Sequence, residues 1–247
     1  MTDEYTAETY GERWADIYDD WTAGLGLLVD GESIASRLAD WAKGGPALEL
    51  AIGTGRVALP LTEMGVEVHG VDISEAMLAK LRAKPGGAEI PVSMGDFADV
   101  PVEGSYGLIF IAFNTLFALL TQEAQLRCFA NAARHLTDDG VFVIEAFFPD
   151  LARFDRDQRA QATWVDPHRV MLDASRHNPV EQRVDSQHIV ITEEETKLYP
   201  VSIRYAFPSE LDLMARLAGL ELRDRWGNWQ RDPFTGETGR HVSVYGR

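Results

Sequence analysis

The stretch LELAIGTGR, from Leu48 to Arg56, sets two glycines and one acid at the end of a short apolar run. Apolar spacing resumes at once with Val57, Ala58, Leu59 and Leu61. The pattern reads as strand, tight turn, helix. Glycine at Gly53 and Gly55 lets the backbone turn sharply and lets a large group approach it closely. The spacing Gly53-x-Gly55-x-x-Ala58 suits a nucleotide or nucleoside cofactor seated on a helix N-terminus.

Working outward, strand and helix alternate. ALELA (47–51), VEVHGVD (66–72), IPVSM (90–94), YGLIFIAF (106–113) and VFVIEAFF (141–148) read as strands. Helices are expected over 55–64, 75–84 with Ser74 as cap, and 121–136 starting at Thr121. Near-continuous apolar strands separated by helices predict a parallel sheet covered on both faces. Upstream, Tyr10, Trp14, Ile17, Tyr18 and Trp21 recur at helical spacing over 7–21, and a second helix is expected over 31–43. This aromatic face suits a helix docked on the core; for Tyr10 and Tyr18 a contact with the cofactor is an equal alternative.

After Pro149 the rhythm changes. Short runs between 161 and 207 have no helix between them, and Val201, Ile203 and Tyr205 alternate with polar residues. That is the period-2 signature of half-buried antiparallel strands. A helix over 209–218, capped by Ser209, and strands near 220–227 and 240–246 close the chain.

Composition limits the partners. The 247 residues are 45% hydrophobic and 25% charged, as in ordinary globular proteins, and carry a formal charge of -16. Such a surface, with no basic run, argues against nucleic acid. No apolar run is long enough to cross a bilayer, and the opening MTDEYTAETYGER predicts no signal peptide, so a cytoplasmic location is expected. Cys128 is the only cysteine, which excludes an internal disulfide and a cysteine-rich zinc site; no metal is expected.

Two acids sharpen the reading of the turn. Asp72 ends the second strand, where a carboxylate grips ribose hydroxyls. Glu49 lies inside the first strand, four residues before Gly53; it has no role on a pyrophosphate but suits a cationic cofactor with an amino group. Asp96, in Met94-Gly-Asp-Phe97, follows the third strand within reach of an adenine amine. With these in place the sequence resembles the class I S-adenosylmethionine-dependent methyltransferases. LELAIGTGR is similar to their first motif, VDIS (71–74) to their ribose-binding strand end, and GDFADV (95–100) to their adenine loop. The resemblance covers roughly 45–150 and then 208–247. Its narrower match is to the small-molecule branch, including N-methyltransferases of nucleotide-linked amino sugars.

The resemblance implies an α/β fold: a Rossmann-like doubly wound sheet of seven strands, the last antiparallel, plus an inserted small antiparallel sheet. It divides the chain into a cofactor core of 1–147 and 208–247, with an N-terminal helical cap, and an insert of 148–207 serving as substrate cap, homodimer contact, or both. The cofactor is expected to be S-adenosylmethionine. It would be held by Glu49, Ala51, Gly53, Gly55, Asp72, Ile73, Asp96, Phe97, Phe113 and Tyr18. The acceptor is expected to be a small molecule methylated at O or N, bordered by Asn114, Arg169, Arg204 and Tyr205. The tail Asn114-Thr-Leu-Phe117 lacks the paired prolines of families that methylate bases or protein amides. His188, His241 and Glu145 are the candidates for a general base, none singled out. The glycine turn alone leaves two alternatives: an NAD-type reductase, or a noncatalytic S-adenosylmethionine binder.

Overall fold

The computed structural model describes residues 7–24, 31–42 and 45–247. Its centre is a seven-stranded sheet. Five strands run parallel: β1 (Ala47–Leu50), β2 (Val68–Asp72), β3 (Val92–Met94), β4 (Tyr106–Ile111) and β5 (Leu136–Phe147). Of the last two strands, β10 (Glu221–Trp226) forms the sheet's edge. The closing strand β11 (Arg240–Gly246) lies antiparallel between it and β5. The order β10-β11-β5-β4-β1-β2-β3 is the expected doubly wound arrangement with an antiparallel last strand.

The alternation of β5 shows why the strands are apolar on both faces. Phe142, Ile144 and Ala146 join a core shared with Phe129, Leu211 and Tyr245, whereas Val141 and Val143 join a second core with Ile34, Leu38, Leu61 and Leu81. Helices therefore cover both sides: α3 (Gly31–Ala39), α4 (Ala58–Glu63) and α5 (Glu75–Arg82) on one, α6 (Gln122–His135) and α7 (Pro208–Leu217) on the other. Ser74 and Thr121 cap α5 and α6 as expected, accepting the amides of Met77 and Ala124. The start of α7 differs from expectation: Pro208 takes the first helical position and Phe207, not Ser209, precedes it without a side-chain cap.

Four antiparallel strands form a separate sheet: β6 (Gln158–Val165), β7 (Arg169–Asn178), β8 (Arg183–Thr192) and β9 (Thr196–Arg204). The N-terminal aromatic segment is two helices, α1 (Ala7–Trp14) and α2 (Tyr18–Gly24), and not one. The break lets Trp14 and Trp21 converge: their rings meet edge to face at 5.0 Å, and both pack on His188 and Tyr199 of the small sheet. The helix expected over 31–43 ends at Ala39, with 43–44 outside the described residues.

Candidate cofactor site and its relatives

The loop after β1 is built from three residues with positive φ: Ala51 at 60°, Gly53 at 57° and Gly55 at 78°. The two glycines are there for different reasons. A Cβ on Gly55 would lie 2.4 Å from Leu81 Cδ1, so this glycine lets the loop pack on α5. A Cβ on Gly53 would meet only the Ala51 carbonyl, at 4.0 Å. Gly53 therefore borders space that the protein leaves open, although its own backbone is pinned. Its amide donates to Asp72 Oδ2 at 2.7 Å.

Asp72 ties the first two strand ends together. Its other oxygen accepts the Ser74 amide at 2.8 Å, and burial raises its pKa. Glu49, 5% exposed in the middle of β1, is less well served. It accepts the Ala58 amide, yet Oε2 has no hydrogen-bond partner. Burial, opposed by the nearby Arg56 charge, pushes its pKa up to about 8. A buried carboxyl with an orphaned oxygen is a costly feature that an incoming ammonium group resolves.

Sequence reasoning did not single out Arg56 or Asp19, and both complete this loop. Arg56 donates to the Tyr18 hydroxyl and lies 6.0 Å from the centre of the Phe113 ring, beside Glu49. Asp19 accepts the Thr54 hydroxyl at 2.6 Å and meets Lys84 Nζ at 2.7 Å; Lys84 also donates to the Thr54 carbonyl. So α2 is clamped directly onto the glycine loop, which places Tyr18 over it. The only trace in sequence is that Arg56 closes the motif itself and Asp19 adjoins Tyr18.

Ile73 is half-buried beside Asp72. Asp96 turns its own loop by accepting the Ala98 amide at 2.8 Å, and Phe97 anchors that loop in the core. At the end of β4, Phe113 and Asn114 both adopt positive φ, 52° and 59°. Such backbone persists only when its surroundings enforce it. Here Glu145 accepts the Phe113 amide at 2.9 Å, and the Asn114 side chain accepts the Phe147 amide at 2.6 Å. Glu145, a candidate base by sequence, thus holds the β4 tail in place through one of its oxygens.

The remaining candidates are placed elsewhere. Arg204 is buried and donates to Gln125, Gln182 and Glu210. Tyr205 is buried against His177, its hydroxyl 2.9 Å from the ring nitrogen. Arg169 lies on an exposed hairpin beside Asp166 and Trp164. Of these three expected acceptor contacts, two are bonded within the fold and the third sits at the hairpin end. His188 is wedged between Trp14 and Trp21, where burial lowers its pKa. His241 is fully buried beside Ser243, and burial pushes its pKa down to about 4. Among the described residues no group of three His, Cys, Asp or Glu side chains could hold a metal ion, and no helix is long and apolar enough to cross a membrane.

Comparison with known proteins decides what this scaffold is. A family model described as a methyltransferase domain matches residues 47–140. The CcbJ methyltransferase from Streptomyces caelestis superposes with a TM-score of 0.92 at 42% identity, over 98% of this chain and 99% of that one. The chain belongs to the class I S-adenosylmethionine-dependent methyltransferases. Cypemycin N-terminal methyltransferase from Streptomyces sp is 26% identical over 205 residues, 83% of this chain and 84% of that protein. The dTDP-4-amino-2,3,4,6-tetradeoxy-D-glucose N,N-dimethyltransferase of Saccharopolyspora spinosa is 31% identical over 155 residues, 59% of each. The methyltransferase uses S-adenosylmethionine as its cofactor, and the NAD-type reading of the glycine turn falls away. Three observations fit that group: the open space over Gly53, the orphaned Glu49 oxygen and the carboxylate ending β2.

Proposed function

We propose that this methyltransferase methylates an amine nitrogen of a small molecule. In this reading Glu49, Ala51, Gly53 and Gly55 hold the amino-acid end of the cofactor, Asp72 and Ile73 the ribose and one adenine face, and Asp96 and Phe97 the other side of the adenine. Tyr18, Phe113 and Asn114 border the reacting centre, and the insert of 148–207 forms the acceptor side. The cofactor supplies a methyl group on a sulfonium, already activated toward direct displacement. The protein's own task is alignment in a dry site, an effect worth up to ~7–11 kcal/mol in well-oriented systems. The strained Phe113-Asn114 pair, fixed by Glu145, is suited to that task.

The observation that carries the choice of nitrogen is the weakness of the candidate bases. Glu145 accepts a backbone amide, and burial lowers the pKa of both His188 and His241, which makes each a poorer proton acceptor. An amine with a free lone pair needs no base, whereas a hydroxyl gains about 10²–10⁴-fold from one. The names of two relatives, an N-terminal methyltransferase and an N,N-dimethyltransferase, support the same class. The test is turnover: radiolabelled methyl transfer from S-adenosylmethionine to matched amino and hydroxy versions of small sugars and amino acids. Amine methylation unaffected by His241→Asn and His188→Asn is expected. Transfer to hydroxyl acceptors alone, abolished by either variant, would refute it; no turnover on any acceptor would favour a noncatalytic binder.

A further inference from the structure

Between α1 and the small sheet lies an open groove of about 1970 Å³. Setting aside Arg176, Arg183 and Asp185, which register puts on the sheet's other face, its lining carries five arginine or lysine side chains against three carboxylates, with Asp173 a fourth beneath. The chain as a whole has 23 such cations against 39 acids, so the groove carries a local excess of positive charge on an acidic molecule. Local positive charge on an acidic protein repels the rest of the surface's cationic counterparts and selects anions.

Two of these arginines stand together. Arg153 and Arg159 approach the same oxygen of the buried Asp173, Oδ2, at 3.9 and 3.8 Å. Both distances are too long for hydrogen bonds. The other Asp173 oxygen accepts the Ser175 hydroxyl at 2.9 Å, and Ser175 in turn lies 2.9 Å from the Ser186 hydroxyl. Arg159 also donates to Gln161, and the Arg153 guanidinium lies over the Phe154 ring. Asp173 thus faces both guanidiniums; the Asp150 charge also acts on Arg153, and Asp155 lines the same groove. Burial, and next the Arg159 charge, depress the Arg153 pKa, as expected of like charges held together.

Register fixes which face this is. Arg159, Ser175 and Ser186 lie opposite one another across β6, β7 and β8, and Asp173 and His188 form the neighbouring row on the same face. His188 packs on Trp14 and Trp21, so it is the face covered by the N-terminal helices. Trp21 shares α2 with Tyr18 and Asp19, which bind Arg56 and Thr54 of the cofactor loop. From Asp173 to Tyr18 the path is one strand spacing, one ring contact and one helical turn, on the order of 15 Å.

The geometry points to an oxyanion site at Arg153 and Arg159, with Ser175 and Ser186 beside them, that takes a phosphate or carboxylate group of the acceptor. The inference rests on the methyltransferase reading and assigns its substrate class: a small molecule with an anionic group remote from the nitrogen. A guanidinium pair matches such groups through bidentate hydrogen bonds. At that distance the anion is an anchor, and its binding orients the reacting end.

The test is calorimetric titration of inorganic pyrophosphate, and separately of malonate, into the full chain saturated with S-adenosylhomocysteine. Saturable binding that weakens with salt is expected. It should fall at least tenfold in R153A/R159A and in Arg159→Gln, a milder variant should the double one fold poorly, while S-adenosylhomocysteine affinity stays within about twofold. Arg169→Ala, on the exposed hairpin, should leave anion binding unchanged. Preference for pyrophosphate assigns a phosphate group and preference for malonate a carboxylate. Absence of binding by both anions, or undiminished binding in the arginine variants, would overturn the site. Loss of S-adenosylhomocysteine binding by folded arginine variants would overturn it too, since the pair would then belong to the donor side. Failure of the unaltered protein to bind S-adenosylhomocysteine would instead strike the methyltransferase reading.

Discussion

Cofactor binding should expel a proton, and the source is Glu49. Its folded pKa is about 8 against an ordinary 4.5, because burial outweighs the stabilising charge of Arg56. At pH 7 the carboxyl is therefore about nine-tenths protonated in the free protein. An ammonium group placed against Oε2 demands the carboxylate, so binding at pH 7 should release close to one proton, and at pH 9 about a tenth of one. The ionised fraction climbs from about 1% at pH 6 to about half at pH 8, so affinity should rise roughly fifty-fold over that interval and then level off. The stability sign follows from the same pKa. A carboxyl whose folded pKa is raised destabilises the free protein progressively as pH climbs from 4.5 to 8. Ligand-induced stabilisation should accordingly grow over the upper part of that window.

S-adenosylhomocysteine is the probe, since it keeps the amino-acid end and is inert. Calorimetry at pH 7 in phosphate and in Tris should give binding heats that differ by about nine-tenths of the difference between the two buffers' ionisation enthalpies. Glu49→Gln should abolish the difference, flatten the pH dependence and weaken binding about 10- to 100-fold, the range of one hydrogen bond to a charged group. Equal heats in the two buffers, or the same proton release from Glu49→Gln, would refute the reasoning.

Gly53→Val should keep the fold, losing only the ~1–2 kcal/mol that positive φ costs a side chain because its Cβ has open space, yet lose S-adenosylhomocysteine binding; thermal melts and titration separate the two effects. Gly55→Ala should do the reverse in the melt, losing about 2–3 kcal/mol, because its Cβ would overlap Leu81 at positive φ. Asp72→Ala should weaken S-adenosylhomocysteine at least tenfold and also lower the melting temperature, because the carboxylate accepts the Gly53 and Ser74 amides. Arg204→Ala should cost about 1–3 kcal/mol in denaturant unfolding, the penalty for leaving the buried Gln125 carbonyl oxygen without its donor.

What the sequence could and could not disclose follows from how each residue acts. The glycine turn, Asp72 and the succession of strands in the core were legible because they depend on local spacing: apolar runs, a Gly-x-Gly turn and an acid at a strand end; the place of the antiparallel last strand came from the family resemblance. Glu49 was legible for a related reason, since an acid in an otherwise apolar strand needs an external partner. The acceptor side was not legible, because roles there depend on register between strands far apart in the chain. Arg159 and Arg204 both sit in period-2 segments of the insert, and either suits an anion on composition alone. Register sets Arg159 opposite Ser175 on the face beneath the N-terminal helices, and it turns Arg204 the other way, onto Gln125 and Glu210. Glu145 is the same lesson at shorter range. Its carboxylate binds an amide made available only by the positive φ of Phe113 and Asn114, a backbone feature that their identities do not announce. A strand-end acid near a reacting centre is therefore ambiguous until its backbone partners are known. Here the amide partner makes Glu145 a positioning group for the β4 tail, which agrees with the proposed amine acceptor, since that chemistry asks for no base.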